Sequence, residues 1–429
     1  MDHFQIIDGV MHAEDVPLPD IAQSVGTPVY VYSSGTMVHH AQVFRSALAE
    51  VADPLIAYAV KANPNAAVLA TLAKAGLGAD VVSGGELRRA LSAGVPAGKI
   101  VFSGVGKTHE EMELALQAGI FQFNLESEPE AETLSEVASA LGLEAAVAFR
   151  INPDVDAGTH AKISTGKSEN KFGIAHFRAQ EAYARAAALP GLRLQGIAVH
   201  IGSQLTDLKP LEEAFTRIGG LLADLRAAGH ALTVADLGGG LGIPYDPSQP
   251  LPPSPAEYGT MVARVTAGWN ARLVFEPGRL IVGNAGILLA RVVRVKASAG
   301  NGPPFVIVDA GMNDLMRPSL YDAWHDIRAV NPRGSKTSAN VVGPVCETGD
   351  TFAMHRGMDA VEEGDLVAFM TCGAYAATMA STYNSRPLPP EVMVSGNRFA
   401  PIRARQSVEA LIRADLMPSW LSEEKEGQE

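Results

Sequence analysis

At 429 residues the chain exceeds one ordinary hydrophobic core, so two domains are expected. Its composition, 47% hydrophobic and 19% charged with 42 Gly and 27 Pro, is that of a soluble globular protein with many tight loops. A net charge of −13 argues against nucleic acid or an anionic membrane surface as a partner.

The amino-terminal run Phe4 to His12 and the run Pro28 to Tyr32 alternate like strands. Eight short apolar runs follow, each succeeded by a helix-like stretch: Leu55 to Val60, Ala79 to Val82, Ile100 to Ser103, Gln122 to Leu125, Ala145 to Ile151, Leu194 to His200, Thr233 to Leu237 and Arg272 to Glu276. Segments between them, such as Glu110 to Ala118 and Leu211 to Ala228, carry apolar residues at helical spacing. Strand–helix alternation implies a parallel sheet, and eight repeats in about 250 residues imply a closed (β/α)₈ barrel of the TIM type. A doubly wound open sheet is the alternative. After Arg279 the rhythm changes to strands joined by turns: Ile287 to Val295, Phe305 to Asp309, Ala339 to Val345, Leu366 to Thr371, Glu391 to Ser395 and Phe399 to Arg405. These predict a mostly antiparallel β domain, a barrel or sandwich. The expected division is therefore an α/β chain with a barrel at 34–278 and a β domain built from 1–33 and 279–429.

Met1-Asp2-His3-Phe4-Gln5 lacks the basic and apolar stretches of a signal peptide, and the run Ile287-Leu288-Leu289-Ala290 is interrupted by Arg291 and Arg294, too short to span a membrane. Two cysteines, Cys346 and Cys372, are too few for a disulfide framework and fit a reducing cytoplasm. The stretch from Ser422 to Glu429 reads as a solvated, disordered tail.

A barrel gathers the carboxyl ends of its strands at one mouth. Strand one ends at Lys61, which Ala62-Asn63-Pro64-Asn65 follows at once; a low-dielectric position there would lower the lysine pKa and free its amine for Schiff-base chemistry. Strand five carries Arg150, strand six ends at His200-Ile201-Gly202-Ser203, strand seven at Gly238-Gly239-Gly240 and strand eight at Glu276-Pro277-Gly278-Arg279. Glycine backbone N–H groups can form an anion nest. Taken singly, the glycines could be a flexible turn, His200 a core residue and Glu276 an ion-pair partner of Arg279. Together they describe a site for a phosphate-bearing aromatic aldehyde. Its phosphate would lie in the nest, Lys61 at the carbonyl, His200 on the ring face and Glu276 at a ring nitrogen. A carboxylate on that nitrogen favours decarboxylation, whereas a cation there would favour racemisation.

Tyr58-Ala59-Val60-Lys61-Ala62-Asn63, His200-Ile201-Gly202-Ser203-Gln204, Gly238-Gly239-Gly240 and Glu276-Pro277-Gly278-Arg279 resemble the barrel motifs of the alanine-racemase-like, fold-type III pyridoxal-phosphate decarboxylases. The carboxyl half, with Asp309 to Tyr321, Gly343 to Asp350, Gly373-Ala374-Tyr375 and Tyr383 to Pro387, is similar to the diaminopimelate decarboxylases among them. The resemblance implies pyridoxal 5′-phosphate as cofactor and Lys61 as the Schiff-base lysine. It implies that His200, Ser203, Gly239, Gly240, Glu276, Pro277, Gly278, Arg279 and Tyr375 hold the cofactor, and that Arg279, Arg317, Tyr321, Glu347 and Tyr375 contact substrate. It also implies Cys346 as a proton donor, with Cys346 and Glu347 reaching the site from the second subunit of a homodimer.

Residue chemistry points the same way. Meso-diaminopimelate has an ammonium and a carboxylate at each end. A guanidinium, Arg317 or Arg279, suits the distal carboxylate and an acceptor such as Glu347 suits the distal ammonium. The expected reaction yields L-lysine and CO2. The rivals are a decarboxylase of carboxynorspermidine or of a basic D-amino acid, an amino-acid racemase, and a non-enzymatic cofactor-binding homologue.

Overall fold

A computed structural model describes residues 2–156, 171–298 and 300–422. Eight strands of this structure form a closed parallel barrel: β1 (Leu55–Ala59), β2 (Gly78–Val81), β3 (Ile100–Phe102), β4 (Gln122–Leu125), β5 (Ala145–Asn152), β6 (Leu192–Ala198), β7 (Val234–Asp236) and β8 (Arg272–Phe275). Closure comes from the β8 to β1 pairing, Val274 against Leu55 and Phe275 against Ile56. Each strand coincides with one of the eight apolar runs. Such runs mark barrel strands because the inner face meets packed side chains and the outer face meets helices; β1, β2, β3 and β4 are buried throughout.

Short polar side chains start the surrounding helices. Asn65 caps Ala66–Lys74, Ser83 caps Gly84–Ser92 and Ser127 caps Glu128–Leu141, while Thr108 and Ser254 form full capping boxes for His109–Ala118 and Pro255–Val265. Only the four-residue turn Arg279–Val282 follows β8. Its place in the outer ring is taken by Ser34–Ala47, which precedes β1 and packs between Ala66–Lys74 and Pro255–Val265. Phe44 of that helix lies 6.0 Å from the Tyr258 ring and 6.1 Å from the Phe275 ring. A Cβ on Gly259 would come within 1.9 Å of the Ala47 carbonyl oxygen, so only glycine permits this helix contact.

The second sheet centres on the strand Gly286–Lys296, which pairs antiparallel with Val29–Ser33, Phe305–Val308 and Leu366–Phe369. Glu391–Ser395 joins parallel to Val29–Ser33, and Lys336–Val342 joins parallel to Phe305–Val308; the remaining pairings are antiparallel. Two strands of this sheet, Ile327–Ala329 and Thr351–Asp359, were not among the expected ones. The run Phe4 to His12 is also not a single strand. It turns at Asp8 and Gly9, both left-handed (φ 49° and 82°), so that Phe4–Ile7 pairs with Val10–Ala13 in a small sheet of its own. That sheet packs its Phe4 and Met11 against Val29, Ile287 and Val392 of the β domain. The tail residues 423–429 lie outside the described residues. No helix among the described residues is long and apolar enough to cross a membrane.

Candidate active site at the barrel mouth

Lys61 follows β1 directly, in the short 3₁₀ turn Val60–Ala62, and is half-buried. The β domain docks on this turn. The Tyr375 N–H donates to the Ala62 carbonyl at 2.8 Å, and Asn63 Nδ2 donates to the Gly373 carbonyl at 3.2 Å. Tyr375 takes a left-handed conformation (φ 53°) to make this contact, which sets its ring beside the barrel mouth.

Lys61 lines two adjacent cavities, of about 500 and 380 Å³. His200 and Glu276 also line both, so these three side chains stand where the cavities meet. Ser203, Gly239, Gly240, Pro277, Gly278, Arg279, Arg317, Tyr321 and Tyr375 line the larger one. The barrel and the β domain thus bring together every expected site residue except Cys346 and Glu347. Those two are exposed and lie on the turn Gly343 to Asp350, whose shape is set by the Asp350 carboxylate accepting the N–H groups of Met312 (2.6 Å) and Val345 (2.5 Å). Asn384 Oδ1 accepts the Cys346 N–H at 3.0 Å, and the Tyr383 hydroxyl bonds the Glu347 carboxylate, which raises the tyrosine's pKa.

One electrostatic expectation is corrected. Burial pushes the Lys61 pKa down, but the facing Asp80 carboxylate outweighs it and the pKa rises above the usual value. Lys61 Nζ makes a 2.5 Å ion pair with Asp80 Oδ2, and Asp80 is fully buried on β2 with its other oxygen unpartnered among the described residues. A low-dielectric site lowers a lysine pKa only when no carboxylate shares it.

Asp80, Asp236 on β7 and Glu276 place three carboxyl groups inside the barrel. Burial, and then the charges of Asp236 and Asp80, hold the Glu276 carboxyl well above its ordinary pKa. Glu276 keeps the proton and donates it to Asp236, whose carboxylate also accepts from Asn124 Nδ2 (2.8 Å) and the Gly238 N–H (2.9 Å). Ser103 and Asn124 approach Glu276 Oε1 at 3.4 Å. Burial and the charges of Arg150 and Lys61 keep His200 neutral, and its Nδ1 accepts the Gly239 N–H at 3.2 Å, which leaves the ring proton on Nε2.

The glycines are spatially required. A Cβ on Gly239 would meet the Glu276 carbonyl oxygen at 2.2 Å, and one on Gly240 (φ 117°) would meet the Gly202 carbonyl oxygen at 2.6 Å. The backbone N–H groups of Gly240 and Gly278 have no acceptor among the described residues. Beside them, Arg279 and Arg317 are buried without an acidic partner among the described residues, and the Nε of each is unpartnered. Arg279 stacks over the Tyr375 ring at 4.7 Å. The arrangement offers an amine, a neutral imidazole, a proton-bearing carboxyl, glycine N–H donors for an oxyanion and a cationic wall.

Comparison with known proteins decides the family. The family model for the pyridoxal-binding domain of pyridoxal-dependent decarboxylases matches residues 35–283. This chain belongs to the pyridoxal-dependent decarboxylases. It is 58% identical to the diaminopimelate decarboxylase of Zymomonas mobilis over 97% of this chain and 99% of that protein. Among solved structures it resembles the diaminopimelate decarboxylase of M. jannaschii in complex with L-lysine, at 37% identity and a TM-score of 0.93 over 98% and 99% of the two chains. The Helicobacter pylori diaminopimelate decarboxylase complexed with L-lysine matches at 40% identity and a TM-score of 0.88 over 92% and 98%.

As a member of this family the enzyme uses pyridoxal phosphate, and the site fits that group: the glycine cradle would be filled by a Cβ, its N–H groups suit a phosphate, and Glu276 holds a proton beside the lysine. Sequence reasoning missed Asp80, Asn124, Asp236 and Tyr245. The first three had a signal, polar residues inside short runs whose two faces are both buried. Tyr245 sits in a loop and had none.

Proposed function

We propose that this enzyme decarboxylates meso-2,6-diaminopimelate to L-lysine and CO2, the last step of lysine biosynthesis. The observation that carries the proposal is the buried pair Arg279 and Arg317, cationic and without an acidic partner among the described residues, on the wall of the lysine-bearing cavity. A carboxylate far from the reacting carbon is the ligand such a wall selects. The likeness to two diaminopimelate decarboxylases in complex with L-lysine supports the same substrate.

Pyridoxal phosphate, when bound, supplies an electron sink for the pair left behind as CO2 departs. Lys61 would anchor it through the side-chain amine, which the Asp80 carboxylate holds in place at the end of β1. The free N–H groups of Gly240 and Gly278 would hold the phosphate, with Gly239, Ser203 and Pro277 completing that wall. His200 would cover one face of the ring as a neutral imidazole. Glu276, which burial and the neighbouring carboxylates keep protonated, would face the ring nitrogen and sustain the sink there. Arg279, Arg317, Tyr321 and Tyr375 orient the substrate and keep water from its reacting end.

In this reading the active unit is a homodimer. Cys346 and Glu347 of one subunit enter the partner's cavity, with Glu347 receiving the distal ammonium and Cys346 returning a proton to the reacting carbon. The division into a barrel at 34–278 and a β domain from 1–33 and 279–429 follows from the same assignment, as does a cytoplasmic location for an enzyme with the free thiols Cys346 and Cys372.

D-lysine, which is diaminopimelate without the distal carboxylate, tests the substrate. Leaving a buried guanidinium unpaired costs a polar site roughly 10⁴ in kcat/KM, so wild type should prefer diaminopimelate by about that factor. Arg317→Met should collapse the preference by harming the diaminopimelate reaction alone. An unchanged ratio in the variant would remove Arg317 from the distal site, and efficient wild-type turnover of D-lysine would overturn the substrate.

A further inference from the structure

We propose that Tyr245 is the positioning residue that assembles Arg279 and Arg317 into one carboxylate clamp and thereby sets selectivity for a dicarboxylic substrate. The proposal rests on the diaminopimelate reading and goes one step past it.

Tyr245 lies beyond the glycine cradle, on a loop held rigidly. Gln204 Nε2 donates to the Ile243 carbonyl at 2.6 Å while Gln204 Oε1 accepts the Ile243 N–H at 3.2 Å, and the Gly242 N–H donates to the Leu205 carbonyl at 2.9 Å. The Tyr245 hydroxyl oxygen accepts from Arg279 Nη1 at 2.6 Å and from Arg317 Nη1 at 2.5 Å. Its ring lies 4.5 Å from the Arg317 guanidinium carbon and 5.7 Å from that of Arg279. The edge of the same ring packs against His325 at 5.5 Å, with an interplanar angle of 81°. His325 is itself fixed, its Nδ1 bonded to the Met370 carbonyl at 2.9 Å, and burial together with Arg317 lowers its pKa to about 3, so it adds no third positive charge.

Two buried guanidiniums repel and would separate unless something held them. A carboxylate partner would hold them but would cancel the charge the substrate needs. A tyrosine hydroxyl accepts one N–H from each arginine without placing a carboxylate against them, and so leaves both cations free to receive an anion. Arg279 has a second anchor, Nη2 donating to Ser203 Oγ at 3.1 Å, whereas no other hydrogen-bond acceptor of Arg317 occurs among the described residues. Arg317 therefore depends on Tyr245 more heavily, and loss of the hydroxyl should be felt at the distal carboxylate first.

The test is Tyr245→Phe in the cofactor-loaded enzyme, a change that keeps the ring, its stacking and its contact with His325. KM for meso-diaminopimelate should rise about 10- to 100-fold, the size expected for lost hydrogen bonds to charged groups, with kcat within about threefold. The inhibition constant of L-lysine, which retains the distal carboxylate, should rise in parallel, while kcat/KM for D-lysine stays within about threefold of wild type. An unchanged KM for diaminopimelate in an active enzyme overturns the clamp and leaves the substrate assignment standing. Equal losses on both substrates also overturn it, because a merely structural role harms them alike. A wild type that turns over D-lysine as well as diaminopimelate overturns the substrate reading, and the clamp with it.

Discussion

Three carboxyl groups and one lysine inside a barrel mouth must share protons, and the sharing decides which residue can do what. Glu276 lies with Asp236 and Asp80 in a buried cluster, so its proton is retained far above the ordinary carboxyl pKa. In the proposed reading that proton would be exchanged with a ring nitrogen of the bound cofactor, which keeps the electron sink in its protonated form. Glu276→Gln keeps the shape and cannot complete that exchange. We expect the variant to fold, to bind pyridoxal phosphate and to lose much of its decarboxylation rate. Steady-state kinetics check this: a kcat within a factor of about three of wild type, under ~0.7 kcal/mol of barrier, would be too little for the role. Lys61 shows the limit of reasoning from burial alone, since the sequence locates the lysine correctly but says nothing of Asp80, its partner across the β1–β2 pair.

At the scale of elements, the barrel was legible because its strands are buried on both faces and their apolar runs have little else to be. The site was legible for the same reason, as charged residues and glycines stand out where such runs end. The β domain was harder. Thr351–Asp359 mixes exposed Met354 and His355 with buried Phe352 and Met358, a pattern that becomes a strand only through its pairing with Lys336–Val342. Ile327–Ala329 is too short to carry a period. The Asp8-Gly9 pair in Phe4 to His12 is a hairpin signal that the alternation of its flanks concealed. Tyr245 was invisible because its role depends on two arginines that follow it by 34 and 72 positions in the chain.

Across the whole molecule, the two expected site residues that miss the cavity, Cys346 and Glu347, share one exposed turn. In the proposed homodimer a second copy of the chain would bring that turn to a mouth and make each site composite. Mixing Lys61→Ala with Cys346→Ala, each inactive alone, should restore part of the activity, because a hybrid dimer contains one site with both residues intact. Activity measured after verified subunit exchange checks this, and no recovery would mean that Cys346 acts within its own chain or not at all. The central claim is the reaction itself. Purified, cofactor-loaded protein should release one CO2 for each meso-diaminopimelate consumed and yield L-lysine without the D-enantiomer, read by CO2 capture and chiral chromatography. Diaminopimelate recovered unchanged or merely epimerised, or release of CO2 only from carboxynorspermidine, would contradict it.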